Sequence, residues 1–237
     1  MESRYNYSHV SWNRLTKDAP FMDWFSDVVS EHIEISHQPS ERIRSCLWDN
    51  PSSAGTMCHE LFMNIGRYLK SKTKYKLPVE FDIDDLLLFE QQSPKLWKNP
   101  PFEEWNLMVG DVADRIATHI NSGWNVKFEQ MVFRGSINAT PDFIVGKLPH
   151  DWKTGGCSNK DLAQISLDAI LLNCSRGMLH YPCFADGDVL VDTSRLLCQP
   201  WILAGLEKHA TRIYTKDYRE QQECISRWLS KSRVGLY

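Results

Sequence analysis

The tightest constraint on this chain lies between Glu129 and Gln164. Residues 140–146 are apolar and β-favouring and stop at Gly146, residues 147–149 supply turn chemistry, and residues 150–153 resume an extended run. That pattern predicts a hairpin. Side chains alternate across a strand, so Asp151 and Lys153 share one face and Trp152 takes the other. A hairpin partner can bring Asp142 alongside them. Two carboxylates and an ammonium crowded onto one sheet face call for compensation, which a divalent metal supplies. Carboxylate oxygens with waters completing the shell suit Mg²⁺, and sites of that kind act on phosphates. There the metal polarises the phosphoryl oxygen and acidifies a water, while a lysine orients that water and offsets developing charge. Asp142 with Asp151-Trp152-Lys153 is therefore a constellation for phosphodiester cleavage.

At these residues the chain resembles the PD-(D/E)XK nuclease superfamily, with Pro141-Asp142 and Asp151-Trp152-Lys153 as the two halves of its motif. Lys153-Thr154-Gly155 and the downstream Gln164 look like the RecB-type branch; Ala139-Thr-Pro-Asp142 is also similar to the lambda-exonuclease branch. Gly55-Thr-Met-Cys-His59 opens an apolar helical pattern similar to the Gly-x-x-x-His helix of RecB-type nucleases, and Ser8-His-Val-Ser-Trp-Asn-Arg-Leu15 is similar to their opening. The resemblance implies an α/β fold with a restriction-endonuclease-like core, a mixed central sheet flanked by helices. It implies one or two Mg²⁺ or Mn²⁺ ions on His59, Asp142 and Asp151, with the backbone carbonyl of Trp152 as a further ligand. Lys153 then positions the water, and Gln164 fixes the lysine or contacts substrate. Glu129 stands where the superfamily often has an additional acid, and an exposed strand charge is its other reading. One departure stands out: Gly135-Ser-Ile-Asn138 puts an asparagine where the RecB-type pattern often has its first acid. Either Asp142 takes that role, or Asn138 marks an altered site.

A chain of 237 residues can bury a proper core as one domain. Its net charge of -3 gives no global basic signal, so nucleic acid would be held by a local patch or through metals. The basic run Lys70, Lys72, Lys74 and Lys76, with Tyr75 interleaved, is the candidate patch for phosphate contact, or else a solvated helix end. Seven cysteines with no Cys-x-x-Cys pair point to neither a zinc ribbon nor a disulfide framework and fit a reducing compartment. Cys174, Cys183 and Cys198 are too widely spaced for the iron-sulfur cluster that some RecB-type nucleases carry. No apolar run reaches membrane-span length and the N-terminus lacks a signal peptide's apolar core, so a cytoplasmic protein, or one in host cytoplasm if phage-encoded, is expected.

In chain order, the pattern predicts helices over 21–29, 40–48, from Gly55 through His59 to Leu69, and after the acids of 80–85. It predicts a further helix over 102–120, one strand over 124–134, a helix over 160–174 carrying Gln164, a hairpin within 178–191, and two terminal helices over 200–214 and 216–228. No domain boundary stands out. The expectation is a single nuclease domain over 1–237: a helical part over 1–122, the catalytic sheet and helix core over 123–192, and C-terminal helices over 199–231.

Three functions follow. The first is a Mg²⁺- or Mn²⁺-dependent deoxyribonuclease, an exonuclease in DNA recombination, repair or phage replication, working on DNA with a helicase or single-strand annealing protein as possible partner and with no membrane. The second is an RNA endonuclease of the viral cap-snatching type, whose domains also combine a helix histidine, Pro-Asp and Asp-x-Lys. The third is a nuclease fold with a degraded site that only binds, motivated by Asn138 and the negative charge.

Overall fold

The computed structural model describes residues 9–43, 51–74, 78–92 and 102–234. They form a mixed α/β structure. The strands are β1 (Val10–Ser11), β2 (Glu34–Ile35), β3 (Val126–Phe128), β4 (Val132–Arg134), β5 (Ile137–Ala139), β6 (Phe143–Val145), β7 (Leu148–Trp152), β8 (Arg176–His180) and β9 (Asp188–Asp192). The helices are α1 (Trp12–Leu15), α2 (Ala19–His32), α3 (Pro51–Lys72), α4 (Ile83–Gln92), α5 (Phe102–Asn121), α6 (Asn159–Leu172), α7 (Ser194–Leu197) and α8 (Pro200–Val234).

A six-stranded sheet in the order β2-β9-β8-β7-β6-β3 is mixed, because β7 and β8 run parallel across the α6 crossover while its other pairs are antiparallel. A three-stranded sheet in the order β1-β5-β4 stands beside it. Alternation along β6 sorts the core. Phe143 and Val145 pack with α3 and α5, whereas Ile144 packs with α2, α6 and α8. Helices therefore flank the sheet on both faces. On the α3 face the approach is close, since a Cβ on Gly66 would fall 2.2 Å from the Phe128 ring. Only a glycine lets α3 lie this near to β3, and that contact sets the height of His59 two turns earlier.

Local signals explain the helix ends. Asp18 caps α2 by accepting from the Phe21 amide at 3.0 Å. Ser158 and Asp161 cap each other's backbone at the start of α6, so the loop after Lys153 is pinned where the helix begins. Asp82 and Asp85 do the same for α4.

The hairpin of β6 and β7 turns through Gly146 and Lys147, one residue earlier than the sequence pattern placed it, with Gly146 at φ +64 and Pro149 inside β7. Three further expectations are corrected. The single strand over 124–134 is two strands in different sheets, because Glu129 takes a left-handed φ of 45 and turns the chain between β3 and β4. The two terminal helices are one, since nothing between Tyr214 and Lys216 breaks the hydrogen-bond ladder of α8. The helix that was to start at Ser40 does not: Ser40 is bonded through its amide and hydroxyl to Asp186, and Arg42 bridges to Phe184. Residues 44–48 of that expectation, like Lys76, lie outside the described residues. Cys183 is disulfide-bonded, a pairing to which the cysteine spacing did not point. No helix among the described residues is long and apolar enough to cross a membrane.

Candidate metal centre

The ends of β5, β6 and β7 meet α1, α3 and α6 around a cavity of about 600 Å³. Ser11, Trp12 and Asn13 form one wall and Asn138, Ala139 and Thr140 a second, while His59, Asp142, Asp151, Lys153, Lys160, Gln164 and Asp168 supply its ionisable and hydrogen-bonding groups. Each arrives by a local rule. Asp151 and Lys153 share one side of the β7 line, opposite to the fully buried Trp152, which packs edge-on against Phe62 of α3 with ring centroids 5.3 Å apart. Asp142 stands at the entry to β6, and His59 comes from α3.

His59 Nδ1 lies 3.1 Å and 3.0 Å from the two oxygens of Asp142. The backbone N–H of Trp152 donates to Asp142 Oδ2 at 2.7 Å, so of Trp152 it is the amide that is seen to reach the site. Lys153 pairs with Asp151 and donates to Gln164 Oε1 at 3.0 Å, with Asp161 at 3.8 Å. Asp151 itself is fully buried, and neither of its oxygens receives a well-formed hydrogen bond.

The two acids are driven apart electrostatically. Burial works to raise the Asp142 carboxyl, but bonds from His59, then Asp151 and the Trp152 amide, hold it below the usual carboxylate range. Burial, then the neighbouring charge of Asp142, push Asp151 well above that range against the pull of Lys153. Burial works against the Lys153 ammonium, and attraction to Asp151 more than offsets it. A buried acid matched by a single ammonium, beside a second, ionised acid, is an unfavourable arrangement.

The residues present fit a divalent cation. One donor atom each from His59, Asp142 and Asp151 lie within 4.8 Å of one another, an oxygen-rich set with one imidazole, and of the Asp151 oxygens Oδ2 has the Lys153 ion pair while neither accepts a hydrogen bond of good geometry. Glu129 is not in this set. Its side chain, about half exposed, turns to Arg67 on α3. Lys70 and Lys72 of the basic run are engaged internally, Lys70 with the carbonyl of Val126 at 2.5 Å and Lys72 with Asp85 at 2.6 Å; Lys74 is exposed.

Sequence reasoning missed Asp168, a nearly inaccessible carboxyl (1% exposed) on the cavity side of α6. The signal was present: an acid among Ser166, Leu167, Ala169 and Ile170, one turn after Gln164. It also missed a second buried polar chain. His150 Nδ1 meets His180 Nε2 at 2.8 Å, and His180 Nδ1 meets Asp188 Oδ1 at 2.7 Å. No protein-family model matches the chain, and no curated protein matches it either.

Proposed function

We propose that this chain is a metal-dependent nuclease of the PD-(D/E)XK type that hydrolyses phosphodiester bonds of DNA. The observation that carries the reading is the donor set of His59, Asp142 and Asp151 within 4.8 Å, with the Lys153 ammonium beside it in a cavity. A Mg²⁺ or Mn²⁺ ion bound there supplies Lewis acidity toward a phosphate oxygen and lowers the pKa of a water. The chain's own groups do the rest. Asp142, fixed by the Trp152 amide, and Asp151 present their oxygens from two adjacent strands. Lys153, held by Gln164, orients the attacking water and offsets the charge that builds on the phosphate. The water oxygen bonds to phosphorus in line with the departing sugar oxygen, and the water's proton leaves to solvent or to that oxygen.

The reading is of an exonuclease acting on a strand end, with the cavity of about 600 Å³ as the place that receives it. Asn13, Asn138 and Thr140 on its walls offer neutral hydrogen-bonding groups for a sugar or base. Asn138 thus has a place in the wall while Asp142 stands against His59.

The test is cleavage of end-labelled linear DNA, closed-circular DNA and an RNA of matched sequence, in Mg²⁺, Mn²⁺ or EDTA, by the wild type, Asp142→Ala and Lys153→Ala. Metal-dependent loss of linear DNA, abolished by both substitutions, is the expected result. Preferential cutting of RNA would move the assignment to an RNA endonuclease. No cutting of any substrate would leave a binding module on a nuclease-like fold.

A further inference from the structure

Lys153 is engaged with a group that a cation would need. Lys153 is paired with Asp151, and Asp151 is also one of the three donors. Once the oxygens of Asp151 turn to a dication, the ammonium loses its short ion pair, keeps only the 3.8 Å contact with Asp161, and is left beside a like charge in a buried place, an arrangement that costs heavily without a new partner.

The neighbours of Lys153 narrow the choice of that partner. Gln164 is neutral. Asp161 Oδ1 is 3.8 Å away, a long contact, and Asp161 lies outside the cavity lining, its Oδ2 held at the start of α6 by the Ser158 amide at 3.1 Å and the Ser158 hydroxyl at 2.7 Å. The carboxylates lining the cavity are Asp142, Asp151 and Asp168, and the first two belong to the donor set. Asp168 is 1% exposed, its Oδ2 is buried with no hydrogen-bond partner, and it stands one helical turn beyond the glutamine that already holds Lys153.

We propose that Asp168 is a positioning residue, the carboxylate to which Lys153 passes when a divalent cation takes Asp151. This rests on the reading of His59, Asp142 and Asp151 as cation ligands. Among these groups three ionised carboxylates then balance one dication and the Lys153 ammonium. The electrostatics agree: burial, then Asp142, push the Asp168 carboxyl up to about 8, and the charge of Lys153 is what pulls it back.

The experiment is calorimetric titration of Mn²⁺ into the wild type, Asp168→Asn, Lys153→Met and the double variant. Asp168→Asn is expected to weaken Mn²⁺ by about tenfold when Lys153 is present and by less than about threefold when it is methionine, a coupling of the size seen between contacting residues. An equal loss in both backgrounds would show that Asp168 touches the cation itself, and no loss in either would make it a structural residue; each result overturns the proposal. A measurement on the unaltered protein guards against misfolding of the variant. The carboxyl ¹³C resonance of Asp168 should move to its ionised position when Mg²⁺ is added at neutral pH, and a resonance that stays put contradicts the exchange. Coupling without cleavage by the wild type would sink the nuclease reading and leave this inference standing. Cleavage without coupling would do the reverse, and a wild type that binds no Mn²⁺ overturns both.

Discussion

His150 and Asp151 are adjacent on β7 and point to opposite faces, and each belongs to a buried polar cluster. The two clusters differ in how they are closed. On the His150 side, a carboxylate can only accept, so the Asp188 contact fixes the His180 proton on Nδ1 and leaves Nε2 to accept from His150 Nδ1–H. Arg115 pairs with Asp188 at the outer end. Phe143 stacks on His150 with centroids 4.4 Å apart, and Trp152 lies against His180 at 4.6 Å. The atoms left over, His150 Nε2 and Trp152 Nε1, belong to neutral rings. On the Asp151 side the atoms without a well-formed hydrogen bond are carboxylate oxygens, they face a cavity, and an ion pair with Lys153 is what holds them. Buried polar groups in folded proteins are almost always partnered, so the open charge cluster at the cavity, more than the ring cluster, is where we propose that a ligand binds.

The largest expected effect breaks the open cluster. Asp142→Asn or Asp151→Asn should abolish Mn²⁺ binding and lower the cleavage rate by at least about 10²–10³-fold. Lys153→Ala should lower the rate on a similar scale while Mn²⁺ still binds. A variant that loses its donor and keeps its metal would erase the contrast between the clusters.

Metal should also stabilise only through the open cluster. With Mn²⁺ at about 100 times its Kd the wild type should gain about 2.7 kcal/mol of stability, seen as a raised unfolding midpoint. Asp142→Asn should gain none.

The pH dependence should separate the clusters by sign. Burial, then the charge of His150, hold the His180 ring well below its ordinary value, so it stays neutral in the fold. Stability from this side is present above the unfolded value of about 6.5 and is lost as pH falls below it, at up to about 1.4 kcal/mol per pH unit for the group. Asp168 behaves oppositely. Its folded value, raised to about 8, gives stability that is present below the unfolded carboxyl value and lost as pH rises through 8. Urea midpoints of the metal-free wild type, His180→Gln and Asp168→Asn across pH 5–8.5 read both. Relative to its variant, the wild type should weaken toward acid in the first comparison and toward base in the second.

The smallest expected effect concerns Glu129. Its pairing with Arg67 is exposed, so Glu129→Gln should change stability by less than about 1 kcal/mol. Mn²⁺ affinity should stay within about threefold, and a larger loss would bring Glu129 into the donor set.

What was legible in the sequence was local. The β6–β7 hairpin, the helix carrying His59 and the separation of Asp151 from Trp152 follow from side-chain periodicity and from Gly146, all within a few residues. What was not legible depends on distant contacts or on conformations that composition does not announce. Glu129 is not a residue type that signals a left-handed φ, so the break between β3 and β4 was invisible. β1 is only two residues long and pairs with β5 across most of the chain. Lys70 and Lys72 read as a free basic patch because their partners, Val126 and Asp85, are fixed only by the fold. The histidine chain joins β7 to β8 and β9, and its spacing carries no motif. Asp168 was readable in principle as an acid on the buried side of an apolar helix.

The central claim is that the three donors of the open cluster hold a divalent cation, and crystals soaked in MnCl₂ and measured near the manganese absorption edge test it most directly. The account predicts an anomalous peak among His59, Asp142 and Asp151 that disappears in Asp142→Asn. A wild-type map with no peak there, from crystals shown to contain manganese, would contradict it.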